Sequence, residues 1–133
     1  MQEHPNAALV REGLEAFNRG DMQRLADLVA DDVTWHQIGD SEPIRGKEAM
    51  ASQMPGAGAV DWEITADVHD VIANDDHTIA LVNATGKRGG QTFRYRTAEI
   101  MHMRDGRITE RWAFSDDTAA ITEFFAERAA TPA

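Results

Sequence analysis

Glu99 lies in a run, Phe93-Arg94-Tyr95-Arg96-Thr97-Ala98-Glu99-Ile100-Met101-His102-Met103, whose residues alternate in character. In an extended strand successive side chains point to opposite faces, so Phe93, Tyr95, Thr97, Glu99, Met101 and Met103 share one face. That face is the more apolar and is expected to pack inward, with Arg94, Arg96, Ala98, Ile100 and His102 outward. A carboxylate among aromatic rings is costly to strip of water unless it is paired. Unpaired in such surroundings, a carboxyl keeps its proton toward neutral pH and can give or take a proton, or donate a hydrogen bond. Hydrogen-bonded to Tyr95, Thr97 or an arginine reaching in from an edge, Glu99 would be an ordinary buried polar group. The residues leave both readings open.

A second grouping surrounds Trp35 and Gln37, which share one face of a β-branched and aromatic run, Val33 to Ile38, while His36 falls on the other with Thr34. A tryptophan beside a carboxamide suits a cavity wall with one orienting group; a core tryptophan next to a surface glutamine is the plain alternative. Asp40, in the loop after that run, is the nearby candidate for a second proton-transfer group. Phe17, Met54 and Met101 complete the candidate lining, and methionine serves equally as gap-filling core. The five histidines occupy separate segments with no tight ligand pair, so no metal is expected. Ser41, Ser52 and Ser115 lack a nucleophile-elbow context, and no glycine-rich phosphate loop precedes a helix, so no nucleotide cofactor is expected.

These residues need elements to hold them. Helical spacing of Leu9, Val10, Leu14 and Phe17 predicts a helix over Asn6 to Asn18, capped by Asn6. After Gly20, Met22, Leu25, Leu28 and Val29 predict a second short helix ended by Asp31-Asp32. Gly39 to Gly46 reads as loop, and Lys47 to Met54 as a third helix before Pro55. Three long strands follow, Asp61 to Ala73, Thr78 to Lys87 and Gln91 to Met103. Then Asp105-Gly106, the strongest hairpin signal in the chain, leads into a strand from Arg107 to Phe114. A two-residue turn there pairs Met103 with Ile108, Met101 with Glu110 and Glu99 with Trp112, which makes Trp112 a cavity wall and sends Arg111 outward. A last helix, Thr118 to Arg128, buries Ile121, Phe124 and Phe125, and 129–133 form a frayed tail. Helices first and a meander afterwards predict an α+β domain with helices on one face of an antiparallel sheet.

With 133 residues, 42% of them hydrophobic, the chain suits one domain over 1–133. It contains no cysteine, so neither a disulfide framework nor a thiolate nucleophile is available, and the cytoplasm is the expected location. The start shows no signal-peptide pattern and no stretch is apolar enough for a membrane span. Thirteen basic residues against 23 acidic ones leave a formal charge of −10, which disfavours nucleic acid and anionic lipid as partners.

Three segments carry a family resemblance: Ala16-Phe17-Asn18-Arg19-Gly20-Asp21, Asp31-Asp32-Val33-Thr34-Trp35-His36, and Arg104-Asp105-Gly106-Arg107-Ile108-Thr109-Glu110-Arg111-Trp112. From about residue 6 to 126 the chain resembles the SnoaL-like branch of the nuclear transport factor 2-like superfamily, which includes ketosteroid isomerases, polyketide cyclases and limonene epoxide hydrolases. The resemblance implies a curved antiparallel sheet wrapped by N-terminal helices around a conical cavity (a cystatin-like α+β barrel), a small apolar ligand or substrate, and a homodimer through the outer sheet face.

The family's catalytic positions are only partly kept. The general-base aspartate of the isomerases corresponds to Gln37, their oxyanion tyrosine to Gly13 and their oxyanion aspartic acid to Glu99. The last-strand aspartate of the cyclases and epoxide hydrolases corresponds to Ala113, and Leu81-Val82-Asn83 offers no equivalent of the hydrolases' Arg-x-Asp. The resemblance also implies a distortion of the last strand that would turn Arg111, Ala113 and Ser115 inward in place of Glu110, Trp112 and Phe114, bringing Arg111 near Glu99. An acid/base isomerase-, cyclase- or hydrolase-like enzyme is then one expectation, and a non-catalytic ligand-binding or accessory module the other.

Overall fold

The computed structural model describes residues 3–52 and 63–126. Met54, the expected ends of the third helix, the first long strand and the last helix, the frayed tail and the side chain of Phe125 fall outside the described positions.

Helix α1 (Pro5–Arg19) begins one residue earlier than expected, because Pro5 fits the first turn and His4, not Asn6, is the cap: its Nδ1 accepts the Asn6 N–H at 3.1 Å. Gly20, at φ 76°, ends the helix in the left-handed conformation. Helix α2 (Met22–Asp27) is capped by Asp21, whose carboxylate accepts the Arg24 N–H at 3.1 Å. It stops short of Val29 because the chain there is claimed by the sheet. The Leu28 carbonyl accepts the Ile108 N–H at 2.8 Å, and strand β1 (Val29–Trp35) starts with Val29 paired to Ile108.

After β1 come β2 (Ile44–Arg45), a short strand inside the expected loop, and helix α3 (Lys47–Ala51). The meander follows as β3 (Glu63–Ala73), β4 (His77–Arg88), β5 (Gln91–Arg104) and β6 (Arg107–Ser115), before helix α4 (Thr118–Ala126). The strands form one curved, open sheet in the order β2-β1-β6-β5-β4-β3. It is not wholly antiparallel: β1 runs parallel to β6, while every other neighbouring pair is antiparallel.

The β5–β6 hairpin decides what faces inward. Asp105 and Gly106 take φ values of 53° and 76°, the two-residue turn their chemistry favours, and Arg104 and Met103 pair with Arg107 and Ile108 as that turn requires. The next pair is His102 with Glu110, so Thr109 is an extra residue and β6 carries a bulge. The Thr109 hydroxyl donates to the His102 carbonyl at 3.2 Å across the irregularity. Beyond it the register runs Met101–Arg111, Ile100–Trp112, Glu99–Ala113 and Ala98–Phe114. Regular alternation through the hairpin, with Trp112 and Phe114 inward, is therefore corrected: Arg111 and Ala113 turn inward, and Phe114 is 59% exposed.

The core lies between this inner face and the helices, with Val10, Val29, Val33, Met50, Ala80 and Ile121 among its buried members. On the outer face, two cross-strand rows, Ile79–Ile100–Trp112 and Leu81–Ala98–Phe114, make a more apolar surface than simple alternation implies. Trp112 stacks on His36 there, ring centroids 5.1 Å apart. No helix among the described residues is long and apolar enough to cross a membrane.

Candidate functional site

Three consecutive inward positions of β5, Tyr95, Thr97 and Glu99, form one wall of a cavity of about 130 Å³. Val82 and Ala84 of β4, paired directly with Thr97 and Tyr95, continue that wall toward Ile64 of β3, and α1 and α2 close the other side through Leu14, Phe17 and Leu25. Asn18 sets the depth of that wall. Its side chain donates to the Ala66 carbonyl at 2.6 Å and accepts the Ala66 N–H at 2.8 Å, clamping the end of α1 to β3. Gly13 lets α1 approach α2, since a Cβ there would lie 3.3 Å from Leu28 Cδ1.

The polar end is organised by Arg111. Its Nε and Nη2 donate to Glu99 Oε1 at 3.2 and 3.0 Å, and its Nη1 donates to the His36 carbonyl at 3.1 Å. The guanidinium also lies 4.5 Å from the centroid of the Trp35 ring, a cation–π contact that supports it from the face. The two charged side chains are only 11% and 15% exposed, so the pair is held largely out of water. Both contacts fall on Oε1; Glu99 Oε2 takes no hydrogen bond from the described residues.

Gln37 is oriented by the same tryptophan. The Trp35 indole N–H, which can only donate, reaches Gln37 Oε1 at 3.2 Å, so the amide's donor capacity stays with its nitrogen. Thr97 is 8% exposed and its hydroxyl has no hydrogen-bond partner among the described residues. Burial, then the Glu99 charge, push the Tyr95 phenol up to about 12, with Arg111 opposing. The phenol is therefore a neutral donor at any ordinary working pH.

The structure thus brings together Glu99, Trp35, Gln37, Tyr95 and Phe17 of the sequence-derived candidates. Asp40 is not with them: it is exposed and lines a separate surface hollow with Ser41, Glu42 and Arg45, because the chain turns outward after Ile38. Trp112 is carried to the outer face by the bulge. Met101 is buried core beside Arg111 in the ladder and does not reach the cavity. Arg111 was legible only as an alternative tied to a distorted last strand, and Thr97 only as one possible partner of Glu99. Among the described residues no group of three or more metal-ligating side chains comes together.

Residues 10–111 match the model of the SnoaL-like domain, and the chain belongs to that family. The uncharacterised protein Rv0034 of Mycobacterium tuberculosis is 30% identical over 138 residues, covering 95% of this chain and all of that protein. Bal32a, from a soil-derived mobile gene cassette, superposes with a TM-score of 0.80 at 29% identity, over 91% of this chain and 96% of its own. IdmH of Streptomyces antibioticus, provisionally described as a polyketide cyclase, superposes at 0.72 with 26% identity, over 91% and 99%. Neighbours described as nuclear transport factor 2-like and as cystatin-like share the fold.

Two predictions follow from this geometry. Arg111→Met strands Glu99 in a poorly hydrated site and is expected to destabilise the protein by about 3–5 kcal/mol. The double change Arg111→Met with Glu99→Met should lose much less, as a urea-unfolding cycle would show. A loss below about 1 kcal/mol for the single change would mean the pair behaves as a surface ion pair. For Tyr95, the unfolded phenol ionises near pH 10 and the folded one only near about 12. Between those values the unfolded state binds fewer protons, so stability falls as pH rises; the contribution is complete below pH 10 and is on the order of 2–3 kcal/mol. Tyr95→Phe should remove that alkaline slope, and an unchanged slope would contradict the assignment.

Proposed function

We propose that the protein is a small-molecule enzyme of the isomerase, cyclase or hydrolase kind, acting on an apolar substrate without a metal or nucleotide cofactor, with Glu99 as its proton-transferring carboxyl. The observation that supports this reading is that Glu99 lines the cavity and that both Arg111 contacts fall on its Oε1, leaving Oε2 without a hydrogen bond from the described residues. In this reading the carboxylate removes a proton from carbon beside a substrate carbonyl, and the electron pair moves into the enolate. The Tyr95 phenol and the Gln37 amide stabilise the enolate oxygen. In a β,γ-unsaturated ketone, return of the proton to the γ carbon isomerises the substrate; alternatively the enolate carbon attacks a second carbonyl to close a ring, and the proton held by Glu99 passes to the new alkoxide. Trp35 and Phe17 orient the apolar part. The likeness to IdmH supports a cyclase-type substrate.

A second reading, a binding or accessory module without turnover, is favoured by Gln37 and Ala113 standing where the family's other acids are found. The two readings separate in heavy water. Cyclic ketones incubated with the protein should take up deuterium beside the carbonyl, followed by proton NMR, and Glu99→Gln should slow that uptake by about 10²–10⁴-fold. Retention of a ligand with no exchange would favour the module, and equal exchange by Glu99→Gln would remove Glu99 as the base.

The protein is further proposed to be a cytoplasmic homodimer joined through the outer sheet face, where Trp112, Ile100 and the exposed Phe114 present apolar surface. Light scattering at micromolar concentration should give twice the chain mass, and Phe114→Glu should shift it toward the monomer. A wild-type monomer would overturn this.

A further inference from the structure

We propose that His36, whose ring lies on the outer face of the sheet, is a positioning residue for the cavity on the other face. Held from outside by Glu110 and Trp112, it fixes where its own carbonyl meets the Arg111 guanidinium, and so how Arg111 is presented to Glu99. This rests on the reading above in taking the Arg111–Glu99 pair as the centre of the site; it does not require that the site turn over a substrate.

The backbone sets the problem. Strand β1 ends at Trp35, and its parallel pairing with β6 is short and irregular: a register shift separates Val29 from Thr34, after which Thr34 pairs with Glu110 and Trp35 with Arg111. The His36 N–H donates to the Arg111 carbonyl at 2.8 Å. The chain then turns away, the Gln37 carbonyl accepting the Asp40 N–H at 3.2 Å. The strand end that carries the cavity residues Trp35 and Gln37 therefore leans on side chains for its anchorage.

Three consecutive residues of β6 supply it. Glu110 Oε2 accepts a hydrogen bond from His36 Nε2 at 2.9 Å, the proton belonging to the ring because a carboxylate can only accept. Arg111 grips the backbone of the same residue, its Nη1 donating to the His36 carbonyl at 3.1 Å. Trp112 stacks on the imidazole with ring centroids 5.1 Å apart and planes 3° from parallel. His102 closes the far side of this group: its ring meets Trp112 edge-on at 5.0 Å, and its Nδ1 lies 3.9 Å from Glu110 Oε1. The His36 and Glu110 side chains are 30% and 31% exposed, so water competes only in part for the bond between them.

Alternation carries the consequence through the sheet. His36 stands between Trp35 and Gln37, which line the cavity and are joined to each other at 3.2 Å. A displaced His36 would withdraw its carbonyl from Arg111 Nη1 and carry the Trp35 ring away from the guanidinium, now 4.5 Å from its centroid. Arg111 would then keep its two bonds to Glu99 Oε1 and lose the contacts that fix their direction. Charged groups hold a working geometry only when the residues behind them are themselves locked by packing and hydrogen bonds.

The test follows the Arg111 Nε–H in nitrogen-15 spectra of the intact protein at one pH, assigned by its loss in Arg111→Lys. His36→Ala keeps the carbonyl and removes the ring. It is expected to quicken exchange of that proton with water by about tenfold, the factor carried by loss of one hydrogen bond, and to shift the Glu99 carboxyl resonance. Glu110→Ala should quicken exchange in the same direction, and Glu110→Gln, whose amide oxygen still accepts from the ring, should restore the wild-type rate. Val71→Ala truncates the core on β3, at the opposite edge of the sheet, and should leave the Arg111 proton unchanged while lowering overall stability. Should His36→Ala fail to fold, the two Glu110 variants read the same outcome. A wild-type Arg111 proton exchanging as freely as those of exposed arginines would overturn the proposal. So would a proton indifferent to His36→Ala and Glu110→Ala, equal quickening in Val71→Ala, or no restoration by Glu110→Gln. Deuterium uptake by cyclic ketones is read separately. An Arg111 response without uptake sinks the enzymatic reading alone, and uptake with an Arg111 proton indifferent to His36 sinks this positioning role alone.

Discussion

A guanidinium and a carboxylate face each other across the polar end of a cavity with little water to screen them, and the surrounding structure is arranged around keeping them together. Arg111 comes from β6, Glu99 from β5, and the His36 carbonyl and Trp35 ring that complete the guanidinium's surroundings come from the end of β1. Breaking the pair would leave either ion stranded, which is more costly than never having placed them there. The pair therefore cross-links three strands at the point where the sheet changes from antiparallel to parallel pairing. It also fixes which carboxylate oxygen is engaged, both guanidinium hydrogen bonds falling on Oε1.

One backbone irregularity makes the pair possible. With the Asp105-Gly106 turn alone setting the register, Arg111 would point outward and Trp112 would fill the cavity. The extra residue at Thr109 exchanges the two faces of β6 beyond it, so a cation enters the cavity and two large apolar rings leave it. The same event makes the outer face more apolar, so the charge inside the cavity and the character of the outer surface are set together.

The remaining walls depend on small residues and a backbone clamp. Gly13 permits close helix approach, and Asn18 binds both polar groups of Ala66 in place of a strand partner. These contacts hold the helices against the sheet on the apolar side of the cavity that Tyr95, Thr97 and Glu99 also line.

The sequence by itself determined much of this. Alternation on β5 placed Tyr95, Thr97 and Glu99 on one inward face, the Asp105-Gly106 pair required a tight hairpin, and helical spacing brought Phe17 to the core side, because each property is encoded over a few adjacent residues. The family, too, was legible in three short segments. Tertiary structure alone decided that Val29 joins the sheet instead of α2, that β1 lies parallel to β6, that Asp40 turns to the surface, and that Arg111 replaces Trp112 beside Glu99. Those outcomes depend on which strand is available as a neighbour and on where a single extra residue enters the ladder. No periodicity along one strand records that information.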